Sequence, residues 1–411
     1  MKKIAIIALF SLIVSACFSP YRGDESAITI NFGGGARAVY PDPGHGADEF
    51  LPYLEHQITL TGPNGTIKRT VKGGGSVKLY VPPGTWNVKV DDTCGGIPFA
   101  SGTSSTSIEV KAGETVAVPI YMTPDGGTIF HTVNNINWNN SIGSIGIATG
   151  NHCIILAENI ITSYAANFIN PTVVTIIGNG KTITFTGTYS PCITVNSGPS
   201  VTIKDVHFNG NKTNTIYLIY IDSSANFTMQ GNSSISGNGS YGIYVNNGDF
   251  TMDGGRIFGN TASGVYLDTG TFTMNGGTIS GNTKRGVEVT SGDFTMNGGT
   301  ISGNTGEYGG GVYFTAPGRK FIMNGGTISG NSAIISGGSG GNGGGVYVEF
   351  GTFIMSGGTI SNNTAAVFGN SLYVDDGNIA TYGSGALIEL TPDFVGGVTH
   401  GYVNAALTGK K

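Results

Sequence analysis

The stretch FTMNGGTISGNT spans residues 272–283 and returns letter for letter at residues 294–305, so that Phe294 stands 22 residues after Phe272. Looser copies start at Val201, Phe227, Phe250, Phe321 and Phe353, and a still looser one, VVTIIGNGKTITF, at Val173. A period of this size marks a repeat architecture. It is too short for a four-stranded propeller blade, and the regular leucines and helical half of a leucine-rich repeat are missing. One coil of a parallel β-helix fits. In the copy at Phe272, Phe272 and Met274 share one face and Thr273 takes the other, the alternation of a strand. Asn275-Gly276-Gly277 turns the chain, Ile279 points inward from a second strand, and Gly281-Asn282-Thr283 makes the next corner. Val287 and Val289 point inward from a third strand around an outward Glu288. A single coil has nothing to bury its apolar face against. Coils stacked about 4.8 Å apart turn equal positions into columns. One column is Phe227, Phe250, Phe272, Phe294, Phe321 and Phe353; another is Ile235, Ile257, Ile279, Ile301, Ile328 and Ile360. The expected fold is all-β, with a parallel β-helix of about eight coils over residues 151–378.

A polar column runs beside the apolar ones: Asn211, Asn238, Asn260, Asn282, Asn304, Asn331 and Asn363. Asparagine tolerates the left-handed backbone that such a corner needs. Its amide accepts from one neighbouring coil and donates to the other, so a buried stack satisfies its own polar groups. This column resembles the asparagine ladder of right-handed parallel β-helices in the pectin-lyase-like superfamily, and the right hand is implied by that resemblance. Exposed strand edges at the ends of such a stack need covering. Residues 128–150 are the expected cap or linker before the first coil, and residues 379–411 the expected cap after the last. Cys153 and Cys192 are read as starting equivalent strands of the first coils, which leaves either a disulfide or plain buried packing.

Before the repeats, AITINF, HQITLTG, SVKLYV, TWNVKV, TSIEV and TVAVPIYM each alternate apolar and polar residues and are separated by Gly/Pro/Asn turns. They predict a small β-sandwich over residues 27–123, with Trp86 as a core plug. The run PPGTWNVKVDD, followed by IEVKAGETVAVPIYM, resembles prealbumin-like and carboxypeptidase-regulatory-like sandwiches of bacterial surface proteins, a likeness that implies no function. At the N-terminus, Lys2 and Lys3 precede an apolar run, Ile4 to Val14, too short to span a bilayer. Val14-Ser15-Ala16-Cys17 resembles the lipobox of bacterial lipoproteins. That likeness implies a signal peptide at residues 1–16, acylation of Cys17, a tether over residues 17–26, and an outer-membrane or cell-surface location with the lipid bilayer as one partner.

Charged residues are only 11% of the chain and the net charge is −5, so nothing electrostatic points to nucleic acid. No metal-ligand spacing and no cofactor motif is present; the glycine run near residue 340 precedes no helix and so is not a dinucleotide loop. Some pectin-lyase-like β-helices are polysaccharide lyases and glycosidases, which implies clustered carboxylates on adjoining coils. Only Glu349, Asp375 and Asp376 qualify, and no basic residue occupies their corner. A second candidate is the outward position of the third strand: Tyr220, Tyr244, Tyr266, Glu288, Tyr313, Tyr347 and Tyr373. Such a stripe either stacks on a glycan or protein partner or stacks on itself and stiffens the sheet. Two insertions, 305–310 and 332–344, leave one side of the coils as an expected flexible lip beside it. The expected function is a non-catalytic, adhesin-like or structural surface module that meets glycan or protein; the alternative is a polysaccharide lyase or glycoside hydrolase.

Overall fold

The computed structural model describes residues 26–32, 50–125, 127–169, 172–210, 212, 214–375 and 379–388. Cys17, Asn211 and Asp376 lie outside the described residues, as does the leader. The chain divides into two compact units, Met1–Gly126 and Gly127–Lys411.

The described residues of the first unit form nine strands in two sheets. Ala27–Phe32 pairs antiparallel with Gly75–Tyr80 and parallel with Thr115–Ala117. The larger sheet orders Gly65–Lys72, Leu54–Gly62, Gly84–Cys94, Ile97–Thr103 and Tyr121–Pro124. Alternation places Ile28, Ile30 and Phe32 of one sheet and Ile58, Leu60, Val88 and Val90 of the other in the core. Trp86 is a core residue, as expected, and its Nε1 donates to the Pro82 carbonyl at 3.0 Å. Phe32 stacks on the His56 ring at 3.8 Å, joining the sheets. His56 Nδ1 faces Asp92 Oδ1 at 2.7 Å, and both side chains are fully buried. Gly65–Lys72 has no buried residue and carries Lys68, Arg69 and Lys72. It is an edge strand, where charge discourages pairing with another chain.

The second unit is a parallel β-solenoid of about ten turns rather than eight. Its parallel pairing runs from Thr128–Val133 through to Ile379–Ile388. The extra coils lie where the repeated phrase is absent: Thr128–Val133 pairs with Gly150–Leu156, which pairs with the strand starting at Thr172. The loose copy is offset by one residue from its expected start, because Val174, not Val173, pairs with Val201. The run VVTII is apolar at both parities, so alternation could not choose between them.

The columns form as read. Phe227, Phe250, Phe272, Phe294, Phe321 and Phe353 are in continuous register. Their rings stack at 4.8 Å between Phe250 and Phe272 and again between Phe272 and Phe294, within 8° and 7° of parallel. The six isoleucines from Ile235 to Ile360 are likewise in register. All of these side chains are buried, each contributing about 1.5–3 kcal/mol by the area removed from water.

Asn238, Asn260, Asn282, Asn304, Asn331 and Asn363 are buried at one corner. Nδ2 of Asn260 donates to Oδ1 of Asn282 at 3.0 Å, and the chain of bonds continues to Asn304, Asn331 and Asn363. Each Oδ1 also accepts the backbone N–H of the preceding coil's asparagine. From Asn282 onward, Nδ2 also donates to an isoleucine carbonyl one coil back. Both donors and both acceptor sites of the middle amides are therefore used. The left-handed backbone, however, belongs to the residue before each asparagine. Gly237, Gly259, Gly281, Gly303 and Gly330 take φ of 61–65°, and in the coil that reads Ser361-Asn362-Asn363 it is Asn362 that takes φ 53°. The ladder asparagines are not among the left-handed residues; each aims its amide along the stack while its neighbour makes the corner.

A helix, Trp138–Ile147, closes the start of the stack, in a stretch of weak periodicity from which no helix was expected. Trp138, Ile142 and Ile145 bury against the same core as Ile160, Ala166 and Phe168. A side chain at Gly146 would collide with the Asn167 carbonyl, which explains a glycine in the middle of a contact face. Cys94, Cys153 and Cys192 are buried, and no disulfide joins them. Cys153 lies in the first strand of its coil, whereas Cys192 sits at the corner entering a third strand, so the two do not start equivalent strands. Burial and the charge of Glu55 push the Cys94 thiol up to about 12, and burial raises Cys192 as well.

Candidate functional site

The third strand of each coil alternates strictly, whether it ends after three or four residues, as at Ile219–Asp222 and Val287–Val289, or runs on into the next coil, as at Ile243–Met252. Ile219 and Ile221, Ile243 and Val245, and Val265 and Leu267 point inward, which forces the residue between them outward. Tyr220, Tyr244, Tyr266, Glu288, Tyr313, Tyr347 and Tyr373 therefore form one outward column in register. The rings lean on one another: 4.9 Å between Tyr244 and Tyr266, 5.6 Å and 11° between Tyr313 and Tyr347, and 5.1 Å between Tyr347 and Tyr373. They are half-buried, and Tyr347 is buried.

A second aromatic row comes from the corner that enters this strand. Tyr217 lies 4.7 Å from Tyr220, Tyr241 lies 5.0 Å from Tyr266, Tyr308 lies 5.3 Å from Tyr347, and Phe368 lies 6.4 Å from Tyr373. Sequence reasoning missed this row, although YLIY at 217–220 and YGIY at 241–244 place two tyrosines three apart in the same frame.

Carboxylates hold the phenol ends. The Tyr220 hydroxyl donates to Asp222 in its own coil at 3.1 Å. Tyr244 donates to Asp268 at 3.2 Å and Tyr347 to Asp375 at 3.2 Å, each one coil on, and Tyr313 donates to Glu349 in the same manner. Asp268 also accepts from the Thr290 hydroxyl at 3.0 Å. Burial raises the Tyr244 phenol well above its ordinary value, and the charge of Asp268 adds to it. Burial followed by the Glu349 hydrogen bond does the same for Tyr313, and burial followed by the Asp375 charge for Tyr347. Tyr244, Tyr313 and Tyr347 therefore keep their protons and act as donors at neutral pH.

Glu288 interrupts the column, and the interruption is filled from within. The Arg285 guanidinium lies 4.4 Å from the centre of the Tyr313 ring, with Nη1 at 3.2 Å from Glu288 Oε2 and Nε donating to the Tyr308 carbonyl at 2.9 Å. The Ser263 hydroxyl donates to the same Glu288 oxygen at 2.7 Å. Arg285 and Glu288 are each only 12% exposed.

Glu349 and Asp375 come from neighbouring coils, but each is bound to a tyrosine. Among the described residues no three His, Cys, Asp or Glu side chains are placed to hold a metal ion. The expected lip is more ordered than its glycine and serine content implied. Thr305–Gly306, Ser332–Ala333 and Thr364–Ala365 form a parallel sheet of their own, and Tyr308, Asn342 and Phe368 bridge in turn. Three coils contribute to it, one more than the insertions counted from sequence. Ile334, Ile335, Val367 and Phe368 are exposed along it.

Residues 191–365 match a family model described as a right handed beta helix region, and they include most of the tyrosine face. The fold is a right-handed parallel β-helix. No curated protein and no solved structure matches the chain.

Proposed function

We propose that this chain is an exported, lipid-anchored binding protein whose β-helix meets a glycan or protein partner through the tyrosine and carboxylate face, without catalysis. Export and anchoring rest on the charged and apolar leader and on Cys17 in its lipobox-like setting, and an outer-membrane or cell-surface location follows from them. The observation that carries the binding reading is the pairing of phenols with carboxylates from coil to coil, Tyr244 with Asp268, Tyr313 with Glu349 and Tyr347 with Asp375. These bonds pre-organise a long half-exposed surface, which lowers the ordering cost of association.

The same bonds speak against the hydrolase or lyase alternative. A general acid or nucleophile has to reach its substrate, and Glu349 and Asp375 are committed to tyrosines. Chemistry on an acidic polysaccharide also requires cations to meet its carboxylates, and the arginine held among the described tyrosines, Arg285, is already paired with Glu288. The test is binding of the full chain to a panel of glycans and proteins, with release of reducing ends or unsaturated products measured in parallel. The triple variant Tyr244→Ala, Tyr266→Ala, Tyr347→Ala is expected to lose at least about tenfold in affinity, since aromatic anchors dominate such interfaces. Undiminished binding by that variant, or polysaccharide turnover abolished by Glu349→Gln, would sink the reading.

A further inference from the structure

We propose that Asn64 is a site of spontaneous deamidation, and that the exposed row of Asn275, Asn297 and Asn324 is bonded so as to keep the same reaction from its own Asn-Gly pairs. This goes beyond the binding reading and does not depend on it.

An asparagine followed by glycine is the pair most open to deamidation, because glycine has no side chain to hinder its nitrogen. That nitrogen gives up its proton and attacks the asparagine Cγ. A bond forms between them, the bond from Cγ to Nδ2 breaks, and Nδ2 leaves as ammonia. Water then opens the five-membered succinimide at either carbonyl, leaving aspartate or isoaspartate. Water and base are the only co-reactants. The fold decides where the ring closes, since the side chain and the main chain of the asparagine must both turn.

The repeated phrase places Asn275-Gly276, Asn297-Gly298 and Asn324-Gly325 at one corner of successive coils, with each amide exposed. Both reacting groups are held there. The Gly276 N–H donates to the Met252 carbonyl at 3.1 Å, Gly298 to Met274 at 3.2 Å and Gly325 to Met296 at 3.3 Å. Each Nδ2 donates one coil back: Asn275 to Asp253 at 2.8 Å, Asn297 to Asn275 at 2.8 Å and Asn324 to Asn297 at 2.9 Å. Ring closure breaks both kinds of bond. The backbone bond carries the larger share, because water replaces a lost partner of an exposed amide. A tenfold difference in rate is about 1.4 kcal/mol of activation free energy, about the net worth of the two bonds together.

Asn64 lacks this hold. It stands with Pro63 in a two-residue loop between Leu54–Gly62 and the edge strand Gly65–Lys72, closed by the pair Gly62–Gly65. Its side chain is exposed and bonds to none of the described residues. Nothing lies within 4 Å of where a Gly65 side chain would begin, and Gly65 takes φ 109°. Turning the main chain here moves a loop tip, not a corner bonded to another coil. Asn179 and Asn247 also precede glycine and are exposed, but they lie inside Thr172–Phe185 and Ile243–Met252, which pair with the coils before and after. Each event at Asn64 adds a negative charge at the tip of a hairpin whose outer strand carries Lys68, Arg69 and Lys72.

The test is peptide mapping by mass spectrometry of the full chain in a non-ionic detergent, held folded at mildly alkaline pH, with isoaspartate identified by enzymatic methylation. Asn64 is expected to convert at least about tenfold faster than Asn275, Asn297 or Asn324, and the difference is expected to vanish in denaturant. The direction of the row supplies a second reading. Asn297→Ala removes the acceptor of Asn324 Nδ2 but leaves Asn275 bonded to Asp253. Asn324 is then expected to react about two- to threefold faster, the worth of one exposed bond, while Asn275 keeps its rate. A melting curve of the variant confirms that it is folded. The inference is overturned if the row reacts as fast as Asn64 in the folded chain, if the difference persists in denaturant, or if no site converts. It is overturned equally if Asn324 fails to outpace Asn275 in the variant.

Discussion

Two columns of amides run along the same solenoid, and they differ most in what surrounds them. At one corner Asn260, Asn282, Asn304, Asn331 and Asn363 are joined amide to amide and sealed from water. At the corner after the first strand, Asn324 donates to Asn297 at 2.9 Å, Asn297 to Asn275 at 2.8 Å, and Asn275 to Asp253 at 2.8 Å, all exposed. Side chain, spacing and bond length are alike, but the direction is opposite: the buried column donates toward the C-terminus and the exposed one toward the N-terminus. The buried amides carry backbone N–H groups with them and have no solvent to fall back on. In the exposed column water can replace any partner that is lost. Equal geometry therefore need not mean equal contribution to stability.

The largest effect is expected from Asn282→Ala. It removes the acceptor of both the side-chain and the backbone donor of Asn260, at 3.0 and 3.1 Å, in a region that excludes water. Two orphaned buried donors cost about 3–5 kcal/mol together. Denaturant unfolding of the second unit's signal is the measurement, and a loss below about 1 kcal/mol would show that relaxation or water reaches this corner.

A smaller effect is expected where the corner itself is changed. Gly281 takes φ 61° with open space around its absent side chain. Gly281→Ala meets no atom but must hold a left-handed backbone, at about 1–2 kcal/mol. Asn362 takes the same conformation at φ 53°, so Asn362→Gly is expected to be neutral or stabilising by a few tenths of a kcal/mol in backbone strain. The opposite order of the two in thermal unfolding would return the corner to the ladder asparagine.

Both findings bear on how much the sequence disclosed. The columns of Phe272 and Ile279, the ladder corner and the outward tyrosines were legible because each depends on identity at a fixed spacing, and stacking converts spacing directly into contact. What stayed hidden depends on things that spacing does not encode. Val173 and Val174 are both apolar, so only the pairing of Val174 with Val201 sets the register. The helix Trp138–Ile147 is built from Asn, Ser and Gly, poor helix formers that tertiary burial of Trp138 and Ile142 overrides. Gly281 and Asn282 stand side by side, and both residue types accept a left-handed backbone; which one does so follows from the direction its neighbour's amide must point. At the candidate site the column itself could be read, but the links across coils could not. Arg285 meets Tyr313 28 residues away and Tyr244 meets Asp268 24 residues away, distances set by insertions and bulges rather than by the period.

The smallest effect closes the comparison. Asn297→Ala removes two side-chain bonds of 2.8 and 2.9 Å, as many amide-to-amide links as Asn282→Ala removes. Its partners Asn275 and Asn324 are both exposed. Each freed group gains water in place of protein, and the loop keeps its backbone bonds from Asn297 to Met274 and from Thr300 to Gly277. The expected change is within about 0.5 kcal/mol, the range of ordinary surface substitutions. Equilibrium unfolding of Asn297→Ala beside Asn282→Ala reads the difference between the columns at one coil's distance. If the exposed substitution were to cost as much as the buried one, burial would not be what gives the inner ladder its strength. Stability would then come from amide-to-amide bonding along the stack, with each link depending on the continuity of the row and not on the exclusion of water.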